Sequence, residues 1–210
     1  MTATVGTTSK APALTFHHRE GSRSERVRWM LRELQIEHET LTDPATSGPA
    51  LRAAHPLSKV PAITVPEGSL FESLAICNWL TDSHPDRELG WRAGTWERAL
   101  HDQWTAFTLA ELEANLWHTA RNRFLYPEHL KVPQAYEQNA RESRRALAVF
   151  DDHLRDREWL VGERFSATDI FCACAIFWAS MEGLTTGFEA VERYMERLST
   201  LSNCAYRRQW

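Results

Sequence analysis

The sequence has 210 residues and a nearly balanced charge, with 24 lysine and arginine residues against 28 aspartate and glutamate residues and a formal net charge of −4. Hydrophobic residues make up 43% of the chain, which is enough to bury one sizeable core or two small ones. This balance argues against a nucleic-acid partner and against binding to an anionic membrane. The longest apolar run, Ile170 to Met181, is shorter than the roughly 20 residues that span a bilayer, so no membrane partner is predicted.

The start of the chain and its cysteines give no sign of export. Residues 1–12 are small and polar and are expected to form a flexible lead. No cationic start followed by an apolar stretch and a cleavage site is visible, so we expect a cytoplasmic protein. The four cysteines lack metal-type spacing and are expected to be buried, reduced thiols: Cys77, Cys172, Cys174 and Cys204.

From residue 13 the chain alternates between strand and helix patterns. Residues 14–17 alternate as a strand, and apolar residues then recur at helical spacing from Val27 to Leu34. The predicted elements that follow are a strand over 38–42, a short helix over 49–54, a hairpin of strands at 62–65 and 69–71, and a helix over 73–83. This order predicts an α/β domain over residues 13–84. The adjacent His17 and His18 point to opposite faces of a strand, so no metal site is predicted there.

The second half of the chain has only helical patterns. Residues 85–94 are rich in turn formers and are predicted to link two domains. Beyond them we predict an all-α domain over 95–210, with long helices at 96–114 and 136–154 and a third helix from about residue 168. The third helix has no polar face and is expected at the centre of a bundle. Ser166 and Asp169 form an S-x-x-D capping box before it, which indicates a role in folding.

Residues 58–79 contain the most informative motif of the sequence. Pro61 precedes an apolar strand and cannot donate to a sheet ladder, which leaves the backbone of Val60 available to an extended peptide. Glu72 and Ser73 open a helix, whose unpaired N–H groups suit a carboxylate. Taken singly, these residues are also typical of an ordinary trans strand entry and of a helix cap. As an ordered set they predict a site for a small peptide-like anion.

This ordered set resembles the glutathione-binding half of the glutathione transferases, whose motif runs through a small residue, valine, cis-proline, an apolar strand, a turn and Glu-Ser at a helix start. The resemblance implies an N-terminal thioredoxin-like domain followed by a C-terminal helical bundle domain. It also implies glutathione as co-substrate and a homodimer. The backbone of Val60 would pair with the cysteinyl unit of glutathione, Pro61 would be cis, and Glu72 and Ser73 would hold the γ-glutamyl end.

Two residues just before the valine bear on the same site. Lys59 resembles the basic or amide residue of the family at this point and would hold the glycine carboxylate of glutathione. Ser58 stands where the family often has glycine, which is a mild departure from the motif.

The first predicted helix begins at a serine-rich turn. Ser22 lies four residues before Arg26, and this position resembles that of the activating serine in theta-like and zeta-like transferases. Ser24 is the rival hydroxyl, and Ser22-x-x-Glu25 could equally be a helix capping box. Arg23 stands where some bacterial classes have cysteine, and it is included among the expected glutathione-binding residues. A cation in the first turn of a helix needs a nearby anion, which Glu20, Glu25 or a bound ligand could supply.

The resemblance implies a transferase that joins the thiolate of glutathione to a small hydrophobic electrophile, typical of detoxification. The alternatives are a glutathione-dependent isomerase of the maleyl-acid type and a non-catalytic, transferase-like binding protein. The acceptor pocket is expected between the domains, with aromatic and basic candidates for its wall: Trp104, Phe107, Trp117, Arg121 and Phe124.

Overall fold

The computed structural model of the protein describes residues 13–42 and 48–206. The predicted flexible lead over residues 1–12 lies outside this part of the chain. The first half forms a four-stranded mixed sheet in the spatial order β2-β1-β3-β4. Its strands are β1 (Thr15–His18), β2 (Glu39–Thr42), β3 (Ala62–Val65) and β4 (Gly68–Phe71).

The strand directions and the connecting helices define a thioredoxin-like domain, as predicted. Strands β1 and β2 are parallel, whereas β3 runs antiparallel to both β1 and β4. Three helices accompany the sheet, namely α1 (Ser24–Glu33), α2 (Pro49–Ala54) and α3 (Ser73–Ser83). Helix α1 is amphipathic: Val27, Met30 and Leu31 are fully buried, while Arg32 is exposed.

The second half is helical, also as predicted. A continuous helical run leads from Trp96 to Leu125, in which α4 (Trp96–Phe107) and α5 (Ala114–Ala120) are each followed by a π-helical turn, Thr108–Glu113 and Arg121–Leu125. The bundle also contains α6 (Ala135–Leu154), α7 (Ala167–Met181) and α8 (Glu189–Ser199). Among the described residues, no helix combines the length and the apolar character needed to cross a membrane.

Helix α7 is the centre of the bundle, and its predicted capping box is present. Nearly all of its residues are buried. The Ser166 hydroxyl accepts a hydrogen bond from the Thr168 N–H, and the Asp169 carboxylate accepts one from the Ser166 N–H at 2.9 Å. The same carboxylate accepts from the hydroxyl of Tyr194 at 2.8 Å and from the N–H of Leu160 at 3.0 Å. Asp169 therefore ties the start of α7 to α8 and to the loop before it.

The two halves pack directly against each other through α1, α3 and α7. His101 bridges them, because its Nδ1 lies 3.0 Å from the Thr168 hydroxyl and its Nε2 lies 2.9 Å from the Asn78 side-chain oxygen. Trp29 of α1, which is fully buried, stacks on Phe165 with a ring separation of 6.0 Å. The domain interface is thus a continuation of the core rather than a loose contact.

The four cysteines are free and buried, which confirms the prediction. Burial raises the pKa of the Cys77 and Cys172 thiols to about 12 and that of Cys174 to about 11. Because only the thiolate is nucleophilic, these three side chains are inert at neutral pH.

Candidate active site

The three motifs identified in the sequence meet at one end of the sheet. Because β1 and β3 are antiparallel, with His17 opposite Ala62, the end of β1 lies beside the start of β3. Because β3 and β4 are also antiparallel, with Ala62 opposite Phe71, the end of β4 lies beside the same point. The turn after β1, the Val60–Pro61 bond before β3 and the Glu72–Ser73 pair after β4 therefore share one edge.

The segment before β3 has the predicted backbone. The Val60–Pro61 peptide bond is cis, and β3 begins at Ala62, directly after the proline. Among the described residues, no backbone group hydrogen-bonds to the backbone of Val60, so its N–H and C=O remain available. Ser58 has a φ of 50°, in the left-handed region that favours glycine, which explains why glycine is common at this position in the motif.

Glu72 and Ser73 do not act as ordinary helix caps. Glu72 is exposed, has the unusual backbone angles φ 71° and ψ 115°, and makes no side-chain hydrogen bond to the helix that follows. A non-glycine residue in such a conformation costs about 1–3 kcal/mol, and such strain is concentrated at functional sites. The Ser73 hydroxyl accepts a hydrogen bond from the Arg26 guanidinium at 3.0 Å, which leaves its own proton to donate. The free N–H groups at the start of α3 thus stand beside an acidic residue and a hydroxyl.

The two serines of the first turn occupy different environments. The Ser22 hydroxyl is partly exposed and donates to the carbonyl oxygen of Arg19 at 2.6 Å. Ser24 is fully buried, and its hydroxyl lies 2.8 Å from Nδ1 of His18, 3.2 Å from the N–H of Arg19 and 2.8 Å from the Ser22 hydroxyl. Burial, followed by the charge of Arg28, lowers the pKa of His18 to about 4, so its imidazole is neutral at pH 7.

Helix α1 begins at Ser24, two residues after Ser22, and the capping box Ser22-x-x-Glu25 does not form in the predicted pairing. The Ser22 hydroxyl accepts a hydrogen bond from the N–H of Ser24 at 3.2 Å, while the Glu25 carboxylate accepts from the N–H of Gly21 at 3.1 Å. Ser22 therefore lies just before the N-terminus of α1, and its hydroxyl donates its proton to the carbonyl oxygen of Arg19.

The anionic partner of Arg23 is a residue of the helical domain, not Glu20 or Glu25. Its guanidinium lies 3.6 Å from the carboxylate of Glu113 and 4.4 Å from the ring centre of Trp117. Glu113 is buried and also forms an ion pair with the fully buried Arg26. The start of α1 is therefore held against the helical run that follows α4.

His55 belongs to this edge of the sheet, although sequence reasoning missed it. It follows α2, lies 4.9 Å from the ring of Phe71, and accepts a hydrogen bond on Nδ1 from the Leu57 N–H at 3.0 Å. Burial lowers the pKa of His55; the charge of Glu72 opposes this shift, and the charge of Lys59 adds to it. The neutral imidazole therefore carries its proton on Nε2. An isolated histidine carries no signal of this in the sequence.

The expected acceptor wall is only partly formed. Trp104 is buried and, like Phe107, packs on Phe150 in the core of the bundle, so these two residues do not line a cleft. Phe124 is 75% exposed and has no ring contact among the described residues. Trp117 lies at the domain interface, since it contacts Arg23, and the Arg121 guanidinium lies 5.7 Å from the ring centre of Trp117.

Family models place the whole arrangement in context. The model for the glutathione S-transferase N-terminal domain matches residues 16–88, and the model for the C-terminal domain of the same family matches residues 113–201. The chain belongs to the glutathione S-transferase family. The N-terminal model covers the site residues of the sheet domain, from Ser22 to Ser73. The C-terminal model covers Glu113, Trp117 and Arg121.

Individual relatives fall into two groups. Elongation factor 1-gamma of Prunus avium is 32% identical over 144 residues, which make up 67% of this chain and 33% of that protein. The chain therefore spans about a third of the length of this relative. Glutathione S-transferase GST-4.5 of Xanthomonas campestris is 25% identical over 174 residues, covering 82% of this chain and 84% of that protein.

Solved structures share the fold. The glutathione transferase URE2P6 from Phanerochaete chrysosporium, crystallised in complex with oxidized glutathione, superposes with a TM-score of 0.81 at 24% identity, covering 92% of this chain and 94% of that one. At this identity the likeness establishes the thioredoxin-like domain followed by an all-helical domain.

Proposed function

We propose that this protein is a glutathione transferase in which Ser22 stabilises the thiolate of glutathione for attack on a small electrophile. The observation that carries the proposal is the convergence of the Ser22 turn, the Val60–Pro61 backbone and the Glu72–Ser73 pair at one end of the sheet. Family membership supports glutathione as the co-substrate. It also supports our expectation of a homodimer and of a cytoplasmic location.

The residues of this edge suit the three parts of glutathione. The free backbone of Val60 can pair with the cysteinyl unit in the manner of an added strand. Glu72 attracts the α-amino group, while the Ser73 hydroxyl and the start of α3 donate to the α-carboxylate. Lys59 and the Nε2–H of His55 suit the glycine carboxylate at the other end. The sulfur of glutathione then lies near the N-terminus of α1, beside Ser22.

Ser22 is preferred over Ser24 because only its hydroxyl is within reach of a ligand. Ser24 is fully buried, and His18 and Arg19 occupy its hydroxyl. A thiolate is a stronger acceptor than a backbone carbonyl, so the Ser22 proton can turn from Arg19 to the sulfur. A hydrogen bond to a charged acceptor contributes about 1.5–3 kcal/mol, and each 1.36 kcal/mol lowers the thiol pKa by about one unit. Together with the helix N-terminus, Ser22 would lower a thiol pKa of about 8.5 by about one to three units.

A second candidate is a non-catalytic glutathione-binding protein, which the similarity to elongation factor 1-gamma favours. The partly exposed Ser22 supports the enzyme instead, because a pure binding site has no need of a hydroxyl donor at the sulfur. The glutathione-dependent isomerase requires the same activated thiolate, so it shares these site residues.

Calorimetric titration with glutathione, together with a conjugation assay using chlorodinitrobenzene, tests the proposal. We expect micromolar to millimolar binding, catalysed release of chloride, and binding weakened about tenfold or more in Glu72→Gln. Glu67→Gln is the matched control, since Glu67 is an exposed carboxylate in the turn between β3 and β4. Binding without turnover would favour the non-catalytic protein, and no binding would refute the site.

A further inference from the structure

A cationic and aromatic surface lies on the helical domain beside the proposed active site. Glu113, Trp117 and Arg121 recur every four residues, so they lie on one face of the helical run. Glu113 and Trp117 both contact Arg23 of the first domain, next to Ser22. The first π-helical turn ends at Glu113, and the second begins at Arg121. Such turns are frequent at functional sites.

Positive charge exceeds negative charge on this surface. The single carboxylate of Glu113 already faces both Arg26, with which it forms a buried ion pair, and Arg23 at 3.6 Å. Arg121 has no carboxylate partner among the described residues, and its Nε is buried without a hydrogen-bond partner there. Its guanidinium is held only over aromatic rings, 5.7 Å from those of Trp117 and Tyr126.

The neighbouring Arg123 provides a contrast within the same turn of helix. It is exposed and forms an ion pair with Glu182, with a nitrogen–oxygen distance of 2.6 Å. The fold therefore provides Arg123 with a carboxylate partner. Arg121 is partly buried and has aromatic neighbours instead.

The geometry points to an acceptor site for planar, conjugated electrophiles that carry a carboxylate, with Arg121 binding the carboxylate and Trp117 contacting the flat part of the molecule. This inference rests on the proposed transferase function and names its substrate class. A guanidinium binds a carboxylate through two parallel hydrogen bonds, and indole faces stack on conjugated systems. This substrate class differs from the small hydrophobic electrophile expected from the sequence.

Glutathione itself has other partners for its two carboxylates. The start of α3 with Ser73 suits one, and Lys59 with His55 suits the other; all of these lie on the sheet domain. Arg121 lies on the helical domain, with its guanidinium 5.7 Å from the ring centre of Trp117, the residue that contacts Arg23 beside Ser22. The carboxylate that Arg121 binds therefore belongs to the second substrate, the electrophile.

The test compares chlorodinitrobenzoate with its methyl ester as acceptors, using wild-type protein, Arg121→Gln and the control Arg123→Gln. In both reactions the sulfur of glutathione forms a bond to the ring carbon that bears chlorine, and chloride leaves with the bonding pair. We expect Arg121→Gln to lower kcat/KM for the carboxylate about tenfold, which is about 1.4 kcal/mol in transition-state binding, and to change that for the ester less than twofold. Arg123→Gln should change neither ratio, and the KM for glutathione should stay constant in both variants.

Further arms separate the possible failures. Arg121→Lys keeps the charge and should recover part of the lost activity, and circular dichroism should show that each variant is folded. Equal losses for carboxylate and ester, or a raised KM for glutathione in Arg121→Gln, would overturn the inference while leaving the transferase intact. If the wild-type protein turned over chlorodinitrobenzene but neither of these acceptors, the inference alone would fail. If it bound glutathione and turned over none of the three, the proposed function itself would fail, and the inference with it.

Discussion

Replacing Arg26 with methionine removes a guanidinium that is 1% exposed and connects three parts of the molecule. It donates to Ser73 at the start of α3, forms an ion pair with Glu113 of the helical domain, and lies 4.1 Å from the ring centre of Phe171 in α7. The substitution leaves Glu113, whose side chain is 4% exposed, with only the partly exposed Arg23 at 3.6 Å as an ionic partner. Breaking a buried ion pair in this way costs about 3–5 kcal/mol, and Glu113→Met should cost a similar amount by leaving Arg26 unpaired.

A double-mutant cycle measures this coupling. The double variant Arg26→Met with Glu113→Met removes both buried charges, so it should cost less than the sum of the single variants by about 3 kcal/mol or more. Urea unfolding followed by tryptophan fluorescence and circular dichroism gives the free energies of unfolding. The exposed pair Arg145–Glu142, whose side chains are 73% and 34% exposed, is the control cycle, with an expected coupling below about 0.5 kcal/mol. A coupling at Arg26–Glu113 no larger than in the control would refute the reasoning.

The remaining predictions concern stability. Burial lowers the pKa of His101 from 6.5 to about 4, so the unfolded chain binds more protons than the folded one between these values, and stability falls as the pH is lowered through this window. From pH 7.5 to 5.5 this residue should account for a loss of about 1.3 kcal/mol, which His101→Gln should abolish in urea unfolding curves measured at both pH values. Asp169→Asn should destabilise the fold by about 2–3 kcal/mol, because one of the donors from Ser166, Leu160 or Tyr194 then faces an amide N–H, while kcat per folded molecule is unchanged.

Each of these two predictions has a clear counter-result. If His101→Gln kept the full pH dependence of the wild-type protein, the link between His101 burial and acid sensitivity would be wrong. His118→Gln serves as its control, since His118 is an exposed histidine of the same helical run. If Asp169→Asn lowered kcat and left the unfolding curve unchanged, Asp169 would belong to the catalytic site rather than to the helix cap.

Local chemistry made much of the first domain predictable. The bounds of α2 and α3 match the prediction because a proline at the first helical position and the Glu72–Ser73 pair mark where each helix begins. The box at Ser166 likewise marks the start of α7. In each case the signal lies within a few residues of the feature that it predicts.

The parts that were missed depend on contacts between distant residues. Trp104 has the spacing of a helix face that could line a cleft or enter a core, and only the tertiary packing on Phe150 makes it a core residue. The partner of Arg26 is 87 residues away, in a π-helical turn that no periodicity predicts. The sequence suggested Glu20, Glu25 or a bound ligand as the anionic partner of Arg23. The partner in the structure is Glu113, which the sequence could not indicate because helix orientation across a domain interface is not encoded locally.

The thiol pKa of glutathione bound to this protein tests the central claim most directly. Ultraviolet titration of the thiolate should place that pKa about one to three units below 8.5 in the wild-type protein. Ser22→Ala should raise it by at least about one unit, whereas Ser24→Ala should leave it within about half a unit of the wild-type value. A bound thiol that keeps its low pKa in Ser22→Ala, or one that titrates like free glutathione in the wild-type protein, would contradict the account.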